Sequence, residues 1–182
     1  MTIFVVESID QSRQRKLFAF LGVDYCATSY TWLNLPLMVL IGLIIALIFA
    51  PTHQLLSQIL VGLGYGLLMM ISSFCHGLGH LISSRLVNGP MKSILATATV
   101  YVTHYEDDEE QPRRVHIGRS LGGPGLNLLL GLTGVAIYLF VVPSHFLLFF
   151  GIVNLGFGVF TLLPIPSLDG AVIWGELRDR QQ

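Results

Sequence analysis

Residues 55–86, LLSQILVGLGYGLLMMISSFCHGLGHLISSRL, decide how this chain folds. The stretch has no acidic residue, and its one cation, Arg85, stands next to its end. A helix needs about 20 apolar residues to cross a bilayer. This longer stretch therefore predicts a membrane helix that is tilted, or whose ends leave the hydrocarbon.

The composition of the whole chain also points to lipid as its surroundings. Of the 182 residues, 53% are hydrophobic and 12% are charged, whereas about 25% are charged in an average soluble domain. So few charges cannot cover a soluble surface, and membrane lipid is the expected partner of most of the chain. The net charge of −1 gives no indication of a nucleic acid partner, and none is expected.

Three further apolar stretches, at residues 32–50, 125–142 and 146–163, have lengths close to that of a membrane span. Between the second and third spans, residues 91–105 are rich in β-branched and aromatic side chains with partial alternation, which predicts a strand or hairpin. We therefore predict an all-α membrane protein with about four transmembrane helices and a small β-like cytoplasmic connection between helices two and three.

The predicted spans divide the chain into three parts. Residues 1–31 are expected to be an N-terminal cytoplasmic or interfacial arm, and residues 32–174 the membrane core. Residues 175–182 would be a cytoplasmic tail. Within the arm, residues 7–21 mix basic and apolar side chains, which predicts a short interfacial helix or a basic anchor.

The basic residues predict the orientation of the chain. Nine of the ten Lys and Arg fall in the N-terminal arm, in the connection between spans two and three, or in the tail, and the tenth, Arg85, lies at the end of span two that meets this connection. The two remaining turns between spans carry none. Cytoplasmic loops carry the excess of Lys and Arg, so both termini and the long connection are expected in the cytoplasm.

Two histidines inside the second span are candidates for metal binding. His76 and His80 are spaced i, i+4, which places both imidazoles on one face of a helix, where they could share an ion of the size of zinc. Asp169 follows the fourth span, after two prolines that end its helix. By the predicted orientation Asp169 lies at a similar depth to the histidines and could be a third ligand. The other interpretation of Asp169 is an ordinary exposed acid at a helix end.

Three short motifs now give the chain a family resemblance. His76–His80 (HGLGH) looks like H-E-x-x-H, Gly123–Asn127 (GPGLN) like G-P-x-x-N, and Leu163–Gly170 (LPIPSLDG) like a proline-rich L-D-G element. In this order the motifs resemble those of the site-2 protease family of intramembrane metalloproteases. The resemblance implies a core of the last three spans with zinc held by His76, His80 and Asp169. It also implies β structure between spans two and three that could receive an extended substrate by strand addition.

The sequence departs from that pattern at two positions. Gly77 stands where the family has its glutamate, the base that takes a proton from water and passes it to the leaving amine. Glycine can do neither, so no catalytic residue is expected there. Thr161 stands where the family usually has an asparagine that helps to position substrate. Asn127 and Thr161 are the substrate-binding candidates.

Glycine also allows helices to approach closely, which is a structural explanation for the glycines of the second span. Gly62 and Gly66 form a G-x-x-x-G spacing. Helix packing is therefore the preferred explanation for Gly77 and Gly79 as well.

These observations lead to one main functional hypothesis. The chain would be a degenerate, catalytically impaired member of the family, a pseudoprotease. It would act as an accessory or regulatory subunit that binds other transmembrane segments of a membrane protein or complex.

Three alternatives stay open. The first is an active intramembrane zinc metalloprotease with a non-standard base. The second is a pigment- or haem-ligating membrane subunit, and the third is a purely structural protein without a metal. The acidic run Glu106–Glu110 is expected to be a solvated loop or a docking site.

Overall fold

The computed structural model describes residues 14–98, 101–105 and 111–178. The strands and helices follow one another in the order β1 (Arg15–Phe20), β2 (Val23–Ala27), α1 (Asn34–Phe49), α2 (Leu55–Leu86), β3 (Ser93–Ala96), β4 (Tyr101–His104), α3 (Arg113–Phe140), α4 (His145–Thr161) and α5 (Asp169–Arg178). A short 3-10 turn at Thr31–Leu33 leads into α1. The protein is mainly helical, with a small sheet.

Within the described residues, three helices are long and apolar enough to cross a membrane: α1 with its preceding turn, α2 and α3. The helix α2 has the bounds predicted from the sequence. The apolar helix α4 has 17 residues, which is about the lower limit for a membrane crossing. The chain therefore has helices capable of spanning a membrane, and the fourth crossing stays a prediction.

The helix α3 begins earlier than the sequence predicts. It runs from Arg113 and contains Pro124 in its interior, whereas the predicted span begins at residue 125. A proline removes one backbone hydrogen bond and usually ends a helix in water. Membrane helices tolerate proline because neighbouring helices and side chains satisfy the freed carbonyl. The prediction of a helix start after Pro124 was therefore wrong.

The N-terminal region forms strands where the sequence predicted a helix. Of the predicted interfacial helix 7–21, residues 15–20 are β1, and residues 7–13 lie outside the described part of the chain. A tight turn joins β1 to β2 through Leu21 and Gly22, which have φ of 50° and 75°. The mixture of basic and apolar residues had indicated a helix, but the tight turn at Leu21 and Gly22 makes this segment part of a hairpin. The helix prediction was therefore wrong for residues 15–20.

The four strands form one sheet in the order β1-β2-β3-β4. The pairs β1–β2 and β3–β4 are antiparallel, and β2–β3 is parallel. The predicted hairpin between helices two and three is thus confirmed as β3 and β4. The prediction of an all-α chain with β structure only in that connection was wrong, since two further strands come from the segment before α1.

The sheet packs against the C-terminal half of α2. Val23, Tyr25 and Ile94 of the sheet form a buried cluster with Leu81 of α2 and with Met91. The ring of Tyr25 also lies 5.9 Å from the ring of Phe74 on α2. This packing holds β3 beside the part of α2 that carries the two histidines.

The helices α1 and α2 approach each other through glycines. A Cβ atom at Gly42 of α1 would overlap the carbonyl oxygen of Gly62 and lie 2.5 Å from the nitrogen of Gly66. The packing role predicted for the G-x-x-x-G spacing is confirmed.

Candidate metal centre

His76, His80 and Asp169 lie together, as the sequence predicts. The Nε2 atom of His76 is 3.2 Å from Oδ2 of Asp169, and Nε2 of His80 is 3.3 Å from Oδ1. The two Nε2 atoms are 3.0 Å apart. All three ligand atoms of the trio lie within 4.8 Å of one another, close enough to share one ion.

The chain turns sharply after α4 to bring Asp169 to the histidines. Residues 162–168 separate the two helices, and Ser167 in that turn has a φ of 75°. A Cβ atom at Gly170 would overlap the carbonyl oxygens of Leu162 and Leu163, so this turn requires a glycine. Asp169 is the first residue of α5, where the helix dipole favours a negative charge.

Gly123 of α3 forms one wall of the centre. A Cβ atom there would overlap Nε2 of His80 and lie 2.6 Å from Nε2 of His76. The glycine of the G-P-x-x-N element therefore leaves room for the two nitrogen atoms that face Asp169. Sequence reasoning used this glycine only as part of a motif, because its contact with the imidazoles depends on how α3 packs against α2.

The other ring nitrogens of both histidines make hydrogen bonds. Nδ1 of His76 is 2.7 Å from Oδ1 of Asn127, and Nδ1 of His80 is 2.9 Å from the carbonyl oxygen of Arg119. Asn127 is fully buried. Its side chain thus contacts a candidate ligand, although the sequence suggested it as a substrate-binding residue.

Thr161, the second substrate-binding candidate, lies at the end of α4. Its hydroxyl donates a hydrogen bond to the carbonyl oxygen of Phe157, at 2.9 Å. The hydroxyl hydrogen is therefore used within its own helix, and only the oxygen lone pairs remain to interact with another group.

Asn154 was missed in the sequence. It lies fully buried in the middle of α4, and its Oδ1 accepts a hydrogen bond from Nδ2 of Asn127, at 2.7 Å. A polar side chain inside an apolar helix is itself a signal of a specific role, and this signal could have identified it.

The carboxyl group of Asp169 is held ionised. Burial raises the pKa of this group, but hydrogen bonds from the protonated forms of His76 and His80, and attraction by both of these cations, have the larger combined effect and lower it to about 2. Two imidazole nitrogens and one carboxylate oxygen are a ligand set that zinc uses in catalytic sites, with a fourth position left open. The residues present therefore fit a zinc ion.

Gly77, beside His76, has no close neighbour on another helix among the residues that the structure describes. A Cβ atom at Gly77 would meet only Cδ1 of Ile94, at an ordinary 3.7 Å. A Cβ atom at Gly79, by contrast, would overlap the carbonyl oxygen of Gly122 and lie 2.9 Å from Cα of Gly123. Close helix packing therefore explains Gly79 and does not explain Gly77.

Few acidic groups are present in residues 14–98, 101–105 and 111–178. Besides Asp169 these ranges contain only Asp24 and Glu176. Asp24 is paired with Lys16, and Glu176 lies 3.6 Å from Nε of Arg113. Within these ranges, each acid other than Asp169 thus has a cation as partner.

Comparison with known proteins identifies the fold. No family model and no curated protein matches the chain. Among solved structures the chain is similar to the site-2 protease from Methanocaldococcus jannaschii, with a TM-score of 0.65 and 16% sequence identity. The match covers 92% of this chain and 73% of that one. At this identity the likeness shows a shared fold, and the chemistry has to be argued from the residues themselves.

Proposed function

From this shared site-2 protease-like fold, we propose that the chain is a degenerate, catalytically impaired member of that family. It holds a zinc ion with His76, His80 and Asp169 and binds transmembrane segments of other proteins without cutting them. It would thus act as an accessory or regulatory subunit in a membrane complex, integral to the membrane and with both termini in the cytoplasm.

The observation that carries this proposal is the glycine at position 77. Peptide hydrolysis needs a group that accepts a proton from water and returns it to the leaving amine. Such assistance contributes about 10²–10⁴ in rate, or roughly 3–5 kcal/mol. Gly77 has no side chain to supply it, and within the described ranges no acid other than Asp169 is free of a cationic partner.

The rest of the centre is suited to binding. A zinc ion, when bound, supplies Lewis-acid polarisation to a group at its open position. His76, His80 and Asp169 would hold that ion, while Gly123 leaves space around their ligand atoms. Without a proton carrier beside His76, a bound peptide segment would be retained rather than cleaved.

The sheet offers a place for an extended part of the partner. Its outer strands are β1 and β4, and an edge strand presents backbone N–H and C=O groups that can pair with another chain. The central strand β3 carries Ile94, which contacts α2 at Gly77. A segment that pairs with β4 would lie two strands away from β3, on the same sheet that packs against the histidine-bearing part of α2.

The proposal is tested by restoring the missing base. Wild-type protein, Gly77→Glu and Gly77→Gln are reconstituted in liposomes with a panel of single-span membrane substrates. We expect cleavage only with Gly77→Glu, because glutamine has a similar size but cannot accept the proton. A Cβ atom at position 77 would make only an ordinary contact with Ile94, at 3.7 Å, so the first carbon of either side chain fits, and the folding of both variants is measured alongside.

The opposite result would identify an active enzyme. If the wild-type protein cleaves these substrates as fast as Gly77→Glu, and His76→Ala abolishes the cleavage, the chain is an active zinc protease. Retention without cleavage is measured separately, as co-purification of the intact substrate with the wild-type protein.

One observation favours that active protease as a second candidate. The acidic run Glu106–Glu110 lies outside the described residues, but it directly follows Tyr105. The ring of Tyr105 lies 4.1 Å from the guanidinium of Arg119, and the carbonyl of Arg119 accepts a hydrogen bond from His80. If an acid of this run serves as the base, the wild-type protein should cleave its substrates. Replacing all five acids by their amides should then abolish the cleavage.

A further inference from the structure

Three helices are joined by a closed set of polar contacts beside the metal centre. Ser72 of α2, Asn127 of α3 and Asn154 of α4 are all fully buried. Nδ2 of Asn127 donates to the carbonyl oxygen of Ser72 and to Oδ1 of Asn154, at 3.1 and 2.7 Å. Nδ2 of Asn154 donates to the hydroxyl of Ser72 and to the carbonyl oxygen of Phe150, both at 2.8 Å.

The carbonyl groups in this set determine which atom of each amide is nitrogen. A backbone carbonyl can only accept a hydrogen bond, so the carbonyls of Ser72 and Phe150 each require an amide N–H opposite them. Both hydrogens of Asn127 Nδ2 are then used. The atom of Asn127 that faces Nδ1 of His76, at 2.7 Å, is therefore the oxygen.

An oxygen acceptor in that position selects one form of the imidazole. Nδ1 of His76 has to carry the hydrogen, so in the neutral ring Nε2 has a lone pair. The same reasoning applies to His80, because its Nδ1 faces the carbonyl oxygen of Arg119. Two lone pairs thus lie 3.0 Å apart and face the carboxylate of Asp169, an arrangement that a shared cation would stabilise.

We propose that Asn127 is a positioning residue that holds His76 in the Nδ1–H tautomer and so presents its Nε2 atom to the metal. Asn154 and Ser72 bind the amide of Asn127 from the other side. This role differs from contact with a substrate. The tautomer of His76 is a property of the metal-free protein. Only the expected effect of Asn127 on metal affinity rests on the zinc binding of the proposed function.

A purely structural role for Asn127 is the competing explanation, since the residue also joins three helices. Asn154 provides the matched control. Asn154→Leu removes a buried amide from the same network, but it leaves the contacts of Asn127 with His76 and with the carbonyl of Ser72. Asn127→Leu removes the oxygen that faces the imidazole.

The first measurement is ¹⁵N NMR of the full chain with labelled histidine, stripped of metal, in detergent at about pH 9, well above the ordinary imidazole pKa of about 6.5. We expect the hydrogen of wild-type His76 on Nδ1. Asn127→Leu should show a population with the hydrogen on Nε2, while Asn154→Leu should keep the wild-type form. A wild-type spectrum with the hydrogen on Nε2 overturns the proposal without any variant.

The second measurement is the dissociation constant for Co²⁺, used as a coloured substitute for zinc. Loss of a group that orients a ligand costs about 10–100-fold in metal affinity, so Asn127→Leu should weaken binding by that factor, and Asn154→Leu by much less. Equal losses in both variants would mean that the network acts only on stability. If Asn127→Leu does not fold, Asn127→Asp, which keeps an oxygen opposite Nδ1, should retain the wild-type tautomer.

The two measurements separate this proposal from the proposed function. A protein that binds no metal but has His76 in the Nδ1–H form would contradict the zinc centre and support the role of Asn127. A protein that binds Co²⁺ but has His76 in the Nε2–H form would support the metal centre and contradict the role of Asn127.

Discussion

Gly77, Gly79 and Gly123 lie around the same two imidazoles, and each has a different relation to its neighbours. Gly79 allows α2 and α3 to touch, because a side chain would overlap the Gly122 carbonyl. Gly123 leaves space for the nitrogen atoms of His76 and His80. Gly77 is buried, but among the residues described a Cβ atom there would make only an ordinary contact with Ile94, so overlap at Cβ does not explain its lack of a side chain. The chemical consequence is the missing base.

At the residue scale, we predict that Gly123→Ala prevents metal binding. The added methyl group would overlap Nε2 of His80 and lie 2.6 Å from Nε2 of His76, the atoms that would hold the ion. The measurement is zinc per protein chain after gentle purification. Gly125→Ala, two residues further along α3, is the control, because a Cβ atom there has no neighbour within 4 Å. Equal zinc content in both variants would contradict the location of the metal centre.

At the scale of elements, the contact between α2 and α3 determines the shape of the centre. Gly79 of α2 meets Gly122 and Gly123 of α3, and the amide of Asn127 lies one turn further along α3. The proline inside α3 does not end this helix, so the residues before and after Pro124 belong to one element. The ligands and their hydrogen-bond partners are thus carried by helices that pack directly against each other.

This contact predicts different effects of alanine at two positions of α2. Gly79→Ala should lower the free energy of unfolding by about 1–3 kcal/mol, the usual cost of inserting a methyl group into a close contact. Gly77→Ala should leave it within about 1 kcal/mol of the wild-type value, since alanine favours the helix and meets only Ile94. Unfolding in mixed detergent micelles measures both. Similar losses in the two variants would show that Gly77 also packs against a helix.

At the scale of the whole molecule, the sheet and the metal centre lie at one end of the helices. The strands β2 and β3 pack on the C-terminal half of α2, where His76 and His80 lie. The aromatic cluster of Tyr65, Phe146 and Phe149 joins the N-terminal half of α2 to the start of α4. The two ends of the molecule therefore differ in composition, and the orientation of these ends in the membrane stays a prediction from the basic residues.

That orientation predicts which residues a reagent can reach from each side of the membrane. In a variant without Cys26 and Cys75, new cysteines at Thr52 and Ser144 should react with a membrane-impermeant maleimide added outside intact cells. Cysteines at the exposed Ser29 and Arg114 should react only after the cells are opened, because both lie in segments predicted to be cytoplasmic. Labelling of Ser144→Cys only in opened cells would contradict the predicted position of the turn between α3 and α4 outside the cytoplasm.

The sequence alone was sufficient for features that depend on local composition and spacing. The bounds of α2 follow from a long stretch without acidic residues, because a membrane helix is recognised by its length and apolarity. His76 and His80 share a face because four residues are about one helical turn. Asp169 was a further candidate ligand because the prolines end the preceding helix. The basic residues also predicted that Asp169 and the two histidines lie on the same side of the membrane.

Other features depend on which atoms meet across distant parts of the chain, and only the tertiary structure decided them. The parallel pairing of β2 with β3 joins segments separated by α1 and α2, and no local pattern encodes such a partner. Gly77 and Gly79 are the same residue type two positions apart, yet only Gly79 meets another helix. The hydrogen bond between Asn127 and His76 likewise depends on the packing of α3 against α2. A hydrogen bond requires a particular distance and direction between two atoms, and separation along the chain determines neither.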